Sequence, residues 1–179
     1  MNCKRFTRIL WGVLSGGLTA AIIQKWNGTH FTWWSLAFFL QYCIYGCLGH
    51  ERDLFWFFMT IQTLVVGGVI FMSGTGCRLF HTTETETGEL VYFWGNFAMH
   101  YAPALLALAL TNIPHTPLPK GSLYRDLTDI ILGHASFLIY CGIINPSKVY
   151  TCTISDAWIQ VCSSCVVCGL CILRWKLHA

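Results

Sequence analysis

Runs of about twenty apolar residues, separated by short polar connections, dominate this chain of 179 residues. Hydrophobic residues make up 55% of the sequence and charged residues only 11%, against roughly 25% charged residues in an average soluble domain. A helix needs about 17 to 25 apolar residues to cross a bilayer. Six segments approach that length: residues 9–24, 31–49, 54–73, 90–110, 128–144 and 154–173. The sequence therefore predicts an all-α, polytopic membrane bundle of about six transmembrane helices, forming a single transmembrane domain over residues 1–179.

Basic residues predict the orientation of this bundle. Cytosolic connections of membrane proteins carry an excess of Lys and Arg. If both termini share one side with the second and fourth connections, that side collects eight of the eleven basic residues: Lys4, Arg5, Arg8, Arg52, Lys120, Arg125, Arg174 and Lys176. Both termini are therefore expected to be cytosolic, in the endoplasmic reticulum or the plasma membrane. The net charge of +3 is explained by this topology, and no nucleic-acid partner is expected.

Four cysteines at intervals of three, Cys162, Cys165, Cys168 and Cys171, resemble the spacing of iron–sulfur ligands. They lie inside the last apolar segment, where each step of three residues turns a helix by about 300°. The four thiols should therefore spread around the helix as small hydrophobic side chains, and no metal or cofactor is expected. A disulfide between Cys77 and Cys152 stays open, because one sequence does not establish a pairing.

His100 is the unusual residue of the fourth apolar segment. A titratable imidazole about ten residues into a membrane-length helix must be desolvated or face the bundle interior, and such groups are candidates for function. Asn96 lies four residues earlier and so shares its helix face. Its amide can hold the imidazole in one tautomer, as a general base requires. The alternative is an interhelical hydrogen bond worth about 1 kcal/mol.

Thr32 and Ser35, near the start of the second apolar segment, are the hydroxyls that such a base can activate. Depth in the membrane distinguishes the two hydroxyls. Tryptophans are enriched at the membrane–water interface, so Trp33 and Trp94 are taken to mark it. His100 lies six residues beyond Trp94, about 9 Å deeper along a regular helix, whereas Thr32 adjoins Trp33. This estimate favours Ser35, and the sequence leaves both hydroxyls open as partners of His100.

The residues from Trp94 to His100, Trp-Gly-Asn-Phe-Ala-Met-His, resemble the Trp-x-Asn-His-x-Met-His signature of the androgen-induced-gene and ADTRP-like multipass proteins, which are distantly similar to the Rolling stone proteins. Two further stretches, His30 to Trp34 and His115 to Pro119, are similar to other motifs of that family in order and spacing. The resemblance implies an intramembrane threonine hydrolase that cleaves fatty acid esters of hydroxy fatty acids. Carried over by position, the nucleophile is Thr32 and the base is His100.

Two function classes follow from these residues. The first is a lipid ester hydrolase, with membrane lipids as its surroundings and a lipid ester as its substrate. The second is a non-catalytic multipass scaffold or a small channel-like protein, which the scarcity of intramembrane charge favours. The distance from His100 to the hydroxyl of Thr32 or Ser35 is the measurement that separates them best.

Overall fold

A computed structural model of the chain describes residues 3–26, 28–74, 95, 97–112, 123–144 and 156–178. The elements in these residues are all helical, which confirms the all-α part of the predicted fold class. The described residues form six α-helices: α1 Cys3–Lys25, α2 Phe31–Leu48, α3 Phe55–Gly74, α4 Ala102–Asn112, α5 Leu123–Ile144 and α6 Asp156–His178. A short 3₁₀ turn, Glu51–Leu54, precedes α3, and a π-helical turn, Phe97–Tyr101, leads directly into α4.

Four helical segments of the described chain are long and apolar enough to cross a membrane: Arg5–Lys25, Arg52–Met72, Leu123–Ile144 and Trp158–Trp175. The apolar segment Phe97–Leu110 is shorter. Helix α2 has 18 residues and is not among the four, since it includes polar side chains such as Thr32, Ser35 and Gln41. The structure thus supports an integral membrane protein, and the count of six crossings stays a prediction.

Helix ends differ from the predicted segments where charged residues extend a helix past its apolar part. The fifth segment was predicted at 128–144, but α5 begins five residues earlier at Leu123 and includes Arg125 and Asp126. Hydropathy marks only the part that can lie in lipid, whereas backbone hydrogen bonding continues beyond it. Helix α2 ends near its predicted limit because Gly49 adopts the left-handed conformation, with φ of 81°, and its N–H bonds the carbonyl of Gly46.

Helix α3 lies in the middle of the described bundle and contacts α2, α4, α5 and α6, while α1 packs chiefly on α2. Aromatic side chains fill these contacts. Trp11 of α1 meets Tyr42 of α2 edge to face, and Tyr42 stacks on Phe58 of α3. Large apolar side chains also cover the outside of the bundle, as at Ile23, which is 78% exposed. This distribution is that of a protein whose outer surface faces hydrocarbon.

Small residues permit two close helix contacts. A Cβ built on Gly46 would lie 2.5 Å from ring atoms of Trp11, and one built on Gly133 would lie 2.7 Å from Cβ of Thr60. Both distances are shorter than real Cβ contacts allow. The glycines therefore set the α1–α2 and α3–α5 separations, as small residues do in membrane bundles.

Candidate functional site

The structure brings Thr32 and His100 together, although 68 positions separate them in the chain. Thr32 Oγ1 lies 2.9 Å from His100 Nε2, inside the range of about 2.6 to 3.2 Å expected between a nucleophile and its base. His100 is only 2% exposed, and Thr32 is partly buried. The pair meets the geometric requirement for an imidazole that activates a hydroxyl.

His100 owes its position to the π-helical turn Phe97–Tyr101. Hydrogen bonds between residues five apart widen this turn, so it advances less per residue than an α-helix and rotates its side chains relative to a regular helix. Pro103, the second residue of α4, has no N–H to donate to the helical hydrogen bonds. The turn therefore sets His100 at a depth and angle that a continuous α-helix would not provide, and such turns are frequent at functional sites.

Thr32 is the second residue of α2, and the connection before it is held by two hydrogen bonds. Tyr140 of α5 donates its hydroxyl to the carbonyl of Thr29 at 2.6 Å, and Trp34 Nε1 donates to the carbonyl of Gly28 at 2.7 Å. The first N–H groups of a helix lack intrahelical acceptors, and the helix dipole is positive there. Negative charge that develops near Thr32 would be stabilised by this end of α2.

Ser35, which the depth estimate favoured as the partner of His100, bonds a different residue. It is fully buried, and its Oγ accepts a hydrogen bond from Gln62 Nε2 of α3 at 2.5 Å. The estimate assumed a regular helix from Trp94 to His100, and the π-helical turn invalidates that assumption. Thr32, not Ser35, contacts the imidazole. Asn96, expected to orient His100, lies outside the described residues.

A second imidazole–hydroxyl pair joins α5 and α6. His134 Nε2 lies 3.0 Å from Ser164 Oγ, and Nδ1 of His134 is buried without a partner in the described part of the chain. The sequence gives no signal for this pair, because two residues on separate helices have no fixed spacing along the chain. A base in a triad is oriented through its second nitrogen. The unpaired Nδ1 therefore makes this pair a poorer catalytic candidate than the Thr32–His100 pair.

A third pair lies on the connection between α1 and α2. Thr29 Oγ1 is 3.0 Å from His30 Nδ1, in an exposed position. Partial burial of His30 lowers the pKa of its imidazole below the ordinary value of about 6.5. The two residues are adjacent in the chain, so this exposed pair is a matched local control for the Thr32–His100 pair.

A cavity of about 860 Å³ adjoins the π-helical turn. Phe97 and Tyr101 of that turn line it, together with residues of α3, α4 and α6. Its volume is near the upper end of the range of about 300 to 1,000 Å³ that is typical of ligand sites. The same turn thus directs His100 towards Thr32 and aromatic side chains towards a cavity of lipid size.

The cysteines of α6 lie in different environments. Cys162 and Cys165 are exposed, Cys168 is partly buried and Cys171 is fully buried. The predicted spread of thiols around the helix is confirmed. Across the residues that the structure describes, no group of three or more His, Cys, Asp or Glu side chains could hold a metal ion. Cys77 and Cys152 fall outside the described residues.

Comparison with known proteins gives no match: no family model, no curated protein and no solved structure is similar to this chain.

Proposed function

We propose that this chain is an intramembrane lipid ester hydrolase in which Thr32 is the nucleophile and His100 is the general base. The observation that carries the proposal is the 2.9 Å contact between Thr32 Oγ1 and His100 Nε2 in a bundle of apolar helices. A buried imidazole beside a hydroxyl supplies the two groups that acyl transfer needs. The family resemblance of the Trp94 to His100 stretch extends the proposal to fatty acid esters of hydroxy fatty acids.

The first half of the reaction transfers the acyl group to the threonine. Thr32 Oγ1 forms a bond to the ester carbonyl carbon while its proton passes to His100 Nε2. The carbonyl oxygen becomes an oxyanion, which the positive end of α2 stabilises. The bond between the carbonyl carbon and the alcohol oxygen then breaks, and His100 returns the proton to the departing alcohol.

The second half restores the threonine. A water molecule attacks the acyl-Thr32 carbonyl and gives its proton to His100 Nε2. The bond from the acyl carbon to Thr32 Oγ1 breaks, and Oγ1 recovers the proton. The products are one fatty acid and one alcohol, so the balance requires no co-reactant besides water.

The location of the pair explains why the substrate should be a lipid. His100 is buried, and many exposed side chains of the helices are large and apolar. A water-soluble ester would have to leave water to reach such a site, whereas the chains of an amphiphilic ester can remain in hydrocarbon. The proposal therefore restricts substrates to esters that partition into the bilayer.

The same proposal includes six crossings and cytosolic termini, in the endoplasmic reticulum or the plasma membrane. Several basic residues assigned to the cytosolic side lie near the α2–α3 connection. A Cβ on Gly49 would lie 2.5 Å from the Arg8 guanidinium, Arg125 pairs with Asp53 at 3.1 Å, and the Arg174 guanidinium is 5.0 Å from the centre of the Phe55 ring. Their convergence at one end of the bundle supports a common side.

A fluorophosphonate probe, which reacts with activated hydroxyls, tests the proposal on the purified full chain in nanodiscs. We expect labelling of the wild type at Thr32 and loss of that labelling in both Thr32→Ala and His100→Ala. Thr29→Ala is the matched control, because it removes a threonine hydroxyl beside an imidazole at an exposed site. That control should label like the wild type.

Two outcomes would contradict the proposal. If labelling survives Thr32→Ala but is lost in Ser164→Ala, the nucleophile belongs to the His134–Ser164 pair. If a folded preparation shows neither labelling nor release of fatty acid from a long-chain ester, the chain is not this hydrolase, and the scaffold or channel-like alternative takes its place.

A further inference from the structure

The cavity beside the π-helical turn contains a buried acceptor that the described residues do not satisfy. Gln62 lines the cavity and is 0% exposed. Its Nε2 donates to Ser35 Oγ, whereas its Oε1 has no hydrogen-bond partner in the described part of the chain. Buried polar atoms are nearly always paired, because an unpaired one loses its hydration without compensation. The amide oxygen of Gln62 therefore indicates a ligand that donates a hydrogen bond.

A second polar position in the lining has the same preference. Thr63 Oγ1 donates its only proton to the carbonyl of Thr60, at 2.9 Å. Ser163 Oγ lies 2.6 Å from Thr63 Oγ1, so the serine must be the donor in that contact. With its proton donated to Thr63, Ser163 Oγ can only accept further hydrogen bonds, through its two lone pairs. Both Gln62 and Ser163 thus offer acceptors to an occupant.

The lining also restricts the charge of an occupant. No Asp, Glu, Lys or Arg is among the described residues that line the cavity. An ionised group there would lose its hydration without a counter-charge. A carboxylate, a phosphate or an ammonium group is therefore a poor fit, and a neutral hydroxyl is a good one.

The rim of the cavity faces the outside of the bundle. Ile70, Leu105, Trp158 and Val166 belong to the lining, and each is more than half exposed. In a membrane bundle such side chains meet lipid, so an occupant can enter sideways from the bilayer. A volume of about 860 Å³ accommodates the hydrocarbon body of a lipid molecule.

We propose that this cavity binds an uncharged lipid alcohol, with its hydrocarbon against the apolar lining and its hydroxyl donating to Oε1 of Gln62. The proposal goes beyond ester hydrolysis, because it concerns binding alone and does not require Thr32 to react. The ligand is a neutral lipid with one hydrogen-bond donor and an apolar chain or ring system.

Photoaffinity labelling of the full chain in phosphatidylcholine nanodiscs tests it. The probe is a long-chain alcohol with a diazirine in its chain, and the competitors are the same alcohol without the diazirine and its methyl ether. The ether keeps the hydrocarbon and an acceptor oxygen but has no proton to donate. We expect labelled peptides within residues 62–71 and 158–166, with the alcohol competing about three- to tenfold better than the ether, the value of one hydrogen bond.

Neighbouring glycines of α3 provide matched variants. Gly67 lines the cavity, and a Cβ there meets Ile159 at an ordinary 3.7 Å, whereas Gly68 is outside the lining with nothing within 4 Å. Gly67→Leu should reduce competable labelling about tenfold by filling the cavity, and Gly68→Leu should leave it unchanged. Gln62→Met should abolish the preference of the site for the alcohol over the ether.

Two results would overturn the proposal. Equal competition by the alcohol and the ether in the wild type would mean that the probe only partitions into hydrocarbon. Equal labelling of the Gly67→Leu and Gly68→Leu variants would place the probe on the lipid-facing surface instead of in the cavity. The wild-type competition is decisive even if a variant does not fold.

Discussion

Replacing His100 with glutamine separates the two roles that a buried imidazole can have beside a hydroxyl. The amide of glutamine can still form a hydrogen bond with Thr32 Oγ1, so an interhelical contact would be largely preserved. An amide does not accept a proton at neutral pH, so general-base catalysis would be lost. His100→Gln is thus more informative than His100→Ala, which also leaves a cavity at a residue that is 2% exposed.

The expected magnitudes differ widely for the two roles. An interhelical hydrogen bond in a membrane contributes about 1 kcal/mol, and a replacement that retains it should change the free energy of unfolding by less than that. Loss of a general base lowers the rate by about 10² to 10⁴, or about 3 to 5 kcal/mol in the activation barrier. The 2.9 Å contact makes the larger effect the prediction for hydrolysis.

The assay measures fatty acid released from a long-chain ester by the full chain in nanodiscs, beside a thermal unfolding curve of the same sample. His134→Gln is the matched control, because His134 is a second intramembrane imidazole that contacts a hydroxyl, Ser164, at 3.0 Å. We expect the control to hydrolyse the ester nearly as fast as the wild type. The double variant Thr32→Ala with His100→Gln should be no slower than Thr32→Ala alone, since residues that act as a unit are not additive.

One result would refute this reasoning. If His100→Gln hydrolyses the ester within about tenfold of the wild-type rate and unfolds normally, His100 holds helices together and is not the base. A parallel loss of activity in His134→Gln would point instead to a general effect of removing buried imidazoles.

Two further predictions concern stability. Gly46→Ala would bring a methyl group against the ring of Trp11 and should lower the unfolding free energy by about 1 to 3 kcal/mol. Gly16→Ala should leave it unchanged, because a Cβ there meets nothing within 4 Å. Thermal unfolding in detergent compares the two variants, and equal midpoints would contradict the close packing of Gly46 against Trp11. Burial lowers the pKa of His30 below about 6.5, so the unfolded chain binds a proton at this residue first as the pH falls, and the folded state loses stability. Unfolding free energies measured from pH 7.5 to 5.5 should show this loss in the wild type and a smaller loss in His30→Asn. An identical pH dependence of the two proteins would exclude His30 as its source.

Most of the helices could be predicted from the sequence because a membrane-spanning helix requires a long apolar run, which local composition shows directly. Each of the four candidate spans in the described residues overlaps one predicted apolar segment. Their ends were less predictable. Helix α5 continues back to Leu123 because its first turn includes Asp126, whose carboxylate accepts a hydrogen bond from Trp175 Nε1 of α6 at 3.3 Å. A hydrogen bond from another helix stabilises that first turn, and a hydropathy profile does not detect such a contact.

The members of the candidate site were predictable, and the family resemblance implied the pairing of Thr32 with His100, but spacing and depth alone did not give that pairing. His100 was singled out by its position in an apolar segment, and Thr32 and Ser35 by their hydroxyls. Which hydroxyl reaches the imidazole depends on the relative depth of two helices. The regular-helix estimate pointed to Ser35, whereas the π-helical turn at Phe97–Tyr101 places His100 against Thr32.

Local chemistry alone specified an all-helical membrane protein, its central imidazole and two candidate hydroxyls, because burial in hydrocarbon forces apolar composition and makes every polar exception conspicuous. The tertiary structure showed which hydrogen bonds form between helices: Thr32 with His100, Gln62 with Ser35, and Ser164 with His134. These contacts join separate helices, so their geometry depends on helix depth, rotation and packing. No periodicity within one segment encodes those three quantities.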